Sequence, residues 1–140
     1  MKKRFYLDTC IWRDLLEDRK SGFSYLGEYA FQFLKKCREN DYKVLFSELV
    51  FDELKTYFSK EEINSLLEPF LDLLVFVDYT KEETIEVRLV VRNISKVHFV
   101  DVLHAIVARD NNAIVITRDK HFEKLTKIVT SLRPEDVRFD

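Results

Sequence analysis

Residues 98–122, HFVDVLHAIVARDNNAIVITRDKHF, decide the fold. The first half predicts a helix that begins near His98 or Phe99 and carries Asp101 in its first turn. Asn111 and Asn112 make a turn, and the β-branched run 113–117 reads as a buried strand. Thr117-Arg118-Asp119 falls where that strand ends, and a further helix is expected from Asp119 to about Lys127. In an open parallel sheet, ligands bind outside the carboxyl ends of the strands. The stretch therefore brings Asp101 and Asp119 toward one candidate site.

Working outward, the same alternation recurs. Residues 3–7 read as a short strand ending in Asp8, and 9–17 as a helix with Ile11, Trp12, Leu15 and Leu16 at helical spacing and Thr9 as its expected N-cap. Residues 18–24 read as a loop, 25–39 as an amphipathic helix and 43–46 as a second strand. Ser47 is placed to cap a helix reaching about Phe58. Ser59 with Glu61 and Glu62 opens another, which Pro69 ends or kinks. Residues 73–77 make a third strand ending in Asp78, and Thr80 opens a helix to about Asn93. Pro134 starts the tail, with 137–139 as a candidate edge strand. Every connection is long enough for a crossover. The pattern predicts a three-layer α/β/α sandwich around a parallel sheet of four or five strands. At 140 residues with 46% hydrophobic content, residues 1–140 are expected to form one domain with a normal core.

Composition narrows the function. The apolar runs are far shorter than the ~18 residues that span a bilayer. Asp8 interrupts any signal-like apolar region behind the basic start MKKR, so a cytoplasmic protein without a membrane partner is expected. Cys10 and Cys37 have no zinc-like spacing, and Cys10 reads as a small residue beside the site. A net charge of −2 argues against a chain-wide basic nucleic-acid surface, so a polyanion must be held by a local patch or by metal.

The acids supply the chemistry. Asp8, Asp78 and Asp119 lie at strand ends, Glu48, Asp52 and Glu53 in the helix after the second strand, and Asp101 at the start of the central helix. Several carboxylates on one rim repel one another, and divalent cations remove that cost. Hard oxygen donors without useful cysteine point to Mg²⁺ or Mn²⁺ rather than zinc. Two such ions about 4 Å apart clamp the attacking and leaving oxygens of a phosphodiester; one can generate a hydroxide nucleophile. Glu53 is placed to edge the buried face of its helix and Asp52 to lie outside. Asp78 reads as a strand-end turn residue, His104 as a structural histidine bonded to Asp101 or to a core group, and His98 and His121 as surface or cap residues. Arg88, Arg92 and Lys96 form a basic stripe if one helix carries all three. Arg109, Arg118 and Lys120 are further candidates for phosphate contact. Apolar positions in 57–74 read as core, with some available to a partner.

FYLDTCIW, SELVFDELKTYF, FVDVLHAIVAR and VITRDKHFEKL resemble, in order and spacing, the four acidic motifs of PIN-domain (PilT N-terminus) ribonucleases. The likeness covers nearly the whole chain, whose length resembles that of VapC-like toxins of type II toxin–antitoxin pairs. It implies metal ligation by Asp8, Glu53, Asp101 and Asp119, a polar contact from Thr9, and a hydroxyl at Thr117 that helps position a metal-bound water. The chain departs from the pattern at His121, where many members carry an acid. The resemblance implies an endoribonuclease dependent on Mg²⁺ or Mn²⁺, an RNA substrate, a cognate antitoxin and a homodimer. The alternatives are a PIN-fold RNA- or protein-binding module, or an RNA-processing nuclease without a toxin role. The metal chemistry tolerates either sugar, so DNA stays open as a substrate. A phosphotransfer receiver is disfavoured, because no paired acids follow the first strand and no lysine ends the last core strand. A haloacid-dehalogenase-like enzyme is disfavoured because Cys10 stands where its second aspartate belongs.

Overall fold

A computed structural model of the chain describes residues 3–22 and 24–139. Its elements in chain order are β1 (Arg4–Leu7), α1 (Thr9–Glu17), β2 (Lys20–Ser21), β3 (Ser24–Tyr25), α2 (Leu26–Glu39), β4 (Lys43–Ser47), α3 (Glu48–Leu54), α4 (Lys60–Leu67), β5 (Leu74–Val77), α5 (Lys81–Asn93), α6 (Phe99–Asp110), β6 (Ala113–Ile116) and β7 (Ser131–Leu132). Short 3₁₀ segments cover Glu68–Phe70, Lys120–Leu125 and Pro134–Asp136. The main sheet has five strands in the order β5-β4-β1-β6-β7, all paired in parallel. The chain runs outward from β1 to β4 and β5, then returns to place β6 on the other side of β1. The reversal opens a crevice at the carboxyl ends of β1 and β6.

Alternation along β1 sets the layers. Successive strand residues point to opposite faces. Phe5 meets Phe33 of α2 edge-on, with ring centroids 5.1 Å apart, whereas Tyr6 reaches His104 of α6. Phe46 of β4 shares the Phe5 side and contacts Trp12 of α1. Helices α1 and α2 therefore cover one face, and α6, with α5 packed on it, covers the other. The central strands are almost wholly buried, while the edge strand β5 leaves Phe76 60% exposed.

The expected three-layer parallel α/β architecture is present, with local differences. Asp8, not Thr9, caps α1; its carboxylate accepts the Thr9 N–H, which frees the Thr9 hydroxyl for another bond. Within 18–24, expected to be loop, β2 and β3 pair as a small hairpin turning at Gly22, whose φ of 59° suits glycine. Phe23 lies outside the described residues, as do Met1, Lys2 and Asp140. Helix α3 stops at Leu54, not near Phe58: Thr56, Tyr57 and Phe58 are poor helix formers, and Ser59 begins α4 with a complete capping box. The expected helix after Asp119 is a 3₁₀ segment, in which Phe122 and Leu125 are both buried at a spacing of three. The edge strand is β7, not 137–139. Phe139 instead turns inward against Phe5, Phe33 and Tyr42.

Gly27 sits where α2 crosses α1. A Cβ there would lie 2.7 Å from the Asp14 carbonyl oxygen and 2.9 Å from Asp18 Cα, both backbone atoms. Gly27→Ala is expected to lower stability by about 1–3 kcal/mol through this overpacking. Urea unfolding checks it, and an unchanged midpoint would show that the two helices are free to separate.

Candidate metal centre

Asp8 follows the last residue of β1. Its backbone N–H donates to the Ile116 carbonyl at 2.9 Å, which ties the ends of β1 and β6 together. Only 6% of the residue is exposed. One carboxylate oxygen accepts the Thr9 N–H and the other accepts the Thr117 hydroxyl at 2.8 Å. The Thr117 oxygen in turn accepts the Asp119 N–H at 3.0 Å. Asp119 caps the 3₁₀ segment by accepting the His121 N–H. A continuous hydrogen-bonded line thus runs from Asp8 through Thr117 to Asp119.

Glu53 arrives from α3, half-buried, while Asp52 beside it is exposed. Its Oε1 accepts the Thr9 hydroxyl at 2.8 Å and lies 2.5 Å from His104 Nε2. His104 is 1% exposed; its Nδ1 lies 2.6 Å from the Tyr6 hydroxyl, which lies 2.7 Å from Ser47 Oγ. Ser47 caps α3 by accepting the Val50 N–H. Burial pushes the Tyr6 pKa well up, so its proton stays in place. Every group is satisfied when Ser47 donates to Tyr6, Tyr6 to His104 Nδ1, and His104 Nε2–H to Glu53. Burial pushes the Glu53 carboxyl up, but the hydrogen bonds from His104 and Thr9 outweigh it and hold the pKa below its ordinary value.

Asp101, in the first turn of α6, faces the same hollow. Its pKa is raised, first by burial, then by the charges of Asp119 and Asp8; His104 and His121 act the other way. His121 Nδ1 lies 3.1 Å from Asp119 Oδ1 and 3.4 Å from Asp101 Oδ2. One ligand atom from each of Asp101, Asp119 and His121 can be chosen so that all three lie within 4.8 Å of one another.

Asp8, Glu53, Asp101, Asp119 and Thr117 are thus linked side by side: Glu53 to Asp8 through Thr9, Asp8 to Asp119 through Thr117, and Asp119 to Asp101 through His121. Asp78 is not among them: it is exposed at the end of β5 and its carboxylate caps Tyr79 N–H. His104 bonds a core group, Tyr6, one of its two expected partners, and the acid it meets is Glu53 rather than Asp101; only the folded chain brings α3 alongside α6. His121 is exposed yet stands between two acids. Cys10 Sγ is 3.5 Å from Asp8 Oδ2, and burial together with the Asp8 charge pushes its thiol up to about 12, which makes it an unreactive neighbour. The basic candidates are mostly occupied. Arg109 holds Glu86 in a two-pronged pair, and Arg118 holds Glu135 likewise while its Nε lies 3.4 Å from Asp14. Lys96 is off the stripe, because α5 ends at Asn93 and Lys96 has φ of 60°.

The donor set fits a divalent cation. Its atoms are hard carboxylate oxygens, and one ligand atom from each of Asp101, Asp119 and His121 already lies within 4.8 Å of the others.

Residues 5–128 match the PIN domain family. The chain belongs to that family. PIN-domain proteins are nucleases that generally use divalent metals. Among solved structures, this PIN domain is similar to VapBC2 from Rickettsia felis, in a crystal bound to a DNA fragment from their promoter, with TM-score 0.68, 20% identity, and coverage of 93% of this chain and 98% of that one. It is also similar to FitAcB from Neisseria gonorrhoeae, with TM-score 0.63, 18% identity, and coverage of 95% and 99%. At these identities the likeness is one of fold. No curated protein matches the sequence. Among the described residues no helix is long and apolar enough to cross a membrane.

Tyr6→Phe removes the hydroxyl that joins Ser47 to His104 and leaves both buried side chains short of a partner. It is expected to cost about 1–3 kcal/mol in chemical denaturation. A neutral effect would mean that water or a rotated Ser47 replaces the bond.

Proposed function

We propose that this PIN domain is an endoribonuclease dependent on Mg²⁺ or Mn²⁺, with Asp8, Glu53, Asp101 and Asp119 as metal ligands and Thr117 orienting Asp8 and the attacking water. The observation that carries the reading is the convergence of the four acids, from the ends of β1 and β6 and from α3 and α6, on one hollow at the sheet's switch point. A bound divalent cation supplies Lewis acidity, lowering the pKa of water and neutralising charge on the phosphodiester. The protein's own part is placement. Thr117 fixes the Asp8 carboxylate plane, His104 and Thr9 orient Glu53, and the His121 N–H holds Asp119. Exposed Lys120, one residue past Asp119, and exposed Arg88 are the cations we assign to the phosphate backbone outside the hollow.

We further propose that it acts as the toxin of a toxin–antitoxin pair, in the cytoplasm, as a homodimer folded over residues 1–140 and held in check by a cognate antitoxin. Support comes from the fold shared with VapBC2 along nearly the full length of both chains. Exposed Leu71, Phe76, Ile85 and Leu89 offer apolar surface for such contacts.

Cleavage of RNA by the purified protein should require Mg²⁺ or Mn²⁺ and stop with EDTA. Asp101→Asn should reduce it by about a hundredfold or more, since loss even of a group that supports a ligand costs 10–100-fold. Asp78→Asn should leave it unchanged. Metal-independent cleavage, or full activity in Asp101→Asn, would falsify the assignment.

The toxin role predicts growth arrest on expression, relieved by a small protein encoded beside this one that co-purifies with it. Arrest that no neighbouring product relieves counts against the pairing.

A further inference from the structure

His121 is the place where this chain departs from its family's acidic pattern, and its position suggests more than a lost ligand. Adjacent ligands of an octahedral cation at about 2.1 Å stand roughly 3.0 Å apart. The His121 Nδ1 distances to Asp119 Oδ1 and Asp101 Oδ2, 3.1 and 3.4 Å, are close to such edges. Nδ1 is therefore placed between two carboxylates, where an imidazole can share a cation with them. The ring is also held. Its own backbone N–H is bonded to Asp119, and the His98 ring packs against it with centroids 4.8 Å apart. Glu53 and Asp8, by contrast, already receive hydrogen bonds from His104, Thr9 and Thr117.

Resting on the reading of this hollow as a divalent-cation site, we propose that His121 Nδ1 is itself a ligand of the cation held by Asp101 and Asp119, so that the site selects Mn²⁺ over Mg²⁺. The chemistry follows from ligand type. Oxygen-only sets suit Mg²⁺, which parts reluctantly with its waters, whereas an imidazole nitrogen favours first-row transition ions. An aspartate at this position would give an all-oxygen site of higher negative charge. His121 gives one charge fewer and a softer donor.

The test is metal binding, read without RNA. Chelator-stripped full-length protein is titrated with Mn²⁺ alone and with Mg²⁺ alone by calorimetry, and the Mn²⁺ complex is examined by pulsed electron paramagnetic resonance. The wild type should bind Mn²⁺ roughly tenfold or more tightly than Mg²⁺. It should also show hyperfine coupling to a directly bound nitrogen, which changes character on ¹⁵N-histidine labelling. His121→Asp should lose the nitrogen coupling and bring the two affinities together; His121→Ala should lose the coupling and weaken Mn²⁺ binding. His121 is 49% exposed at its side chain, so both variants are expected to fold, checked by circular dichroism. Mn²⁺ binding without nitrogen coupling overturns the inference and leaves the metal reading standing. Coupling that survives His121→Ala places the nitrogen elsewhere, with His104 the alternative, and overturns it equally. A wild type that binds neither ion removes the metal reading, and this inference goes with it.

Discussion

Carboxylates gathered at the carboxyl ends of β1 and β6 repel one another, and the structure around them is organised to hold them in place regardless. The controlling contact is the Thr117 hydroxyl on Asp8. It is a bond between strand ends, possible because Arg4–Leu7 and Ala113–Ile116 run in parallel register. A slip of one residue would turn Tyr6 and Phe5 to the wrong faces and carry Asp8 away from Thr117. The alternation that packs Phe5 on α2 and Tyr6 under α6 therefore also fixes where the first and last acids meet.

On the α6 side the same register reaches Glu53 by a second route. Tyr6 links Ser47, the cap of α3, to His104 of α6, and His104 returns to Glu53, on α3 again. The chain of bonds closes on the helix it started from. The cap that starts α3 and the acid near its far end are thus tied through the neighbouring strand and helix. In a buried setting such a network is favourable only if every member is satisfied. Tyr6, held protonated by burial, supplies one donor and accepts one, which is what the closure requires.

The sequence carried the fold's outline because its signals were local: strand runs bounded by Asp8 and Thr117, and capping boxes at Ser59 and Thr80. It carried the acids because strand-end positions in a parallel sheet share one rim. It did not carry the partners. Spacing along one helix offers His104 either Asp101 or a core group, whereas the approach of α3 to α6, which supplies Glu53, leaves no trace in that spacing. Type and position make Thr9 the expected cap, yet Asp8 takes that role and leaves Thr9 to Glu53. The far end of α3 and the 3₁₀ segment after Asp119 depart from the expected helices for local and tertiary reasons. Thr56, Tyr57 and Phe58 are poor helix formers before the Ser59 cap, and tertiary packing of Phe122 and Leu125 overrides continuing periodicity after Asp119.

These two hydrogen-bonded routes leave the hollow uneven. Asp8 and Glu53 are each held by uncharged or histidine donors, so their charge is dispersed into the core. Asp101 has burial and two neighbouring carboxylates against it, and faces Asp119 with only histidine charge to offset them. A cation entering the hollow gains most where compensation is least, toward α6 and the segment after β6. On that side Asp119 caps a short 3₁₀ segment that carries His121, whereas Asp8 and Glu53 are set by a strand end and a helix.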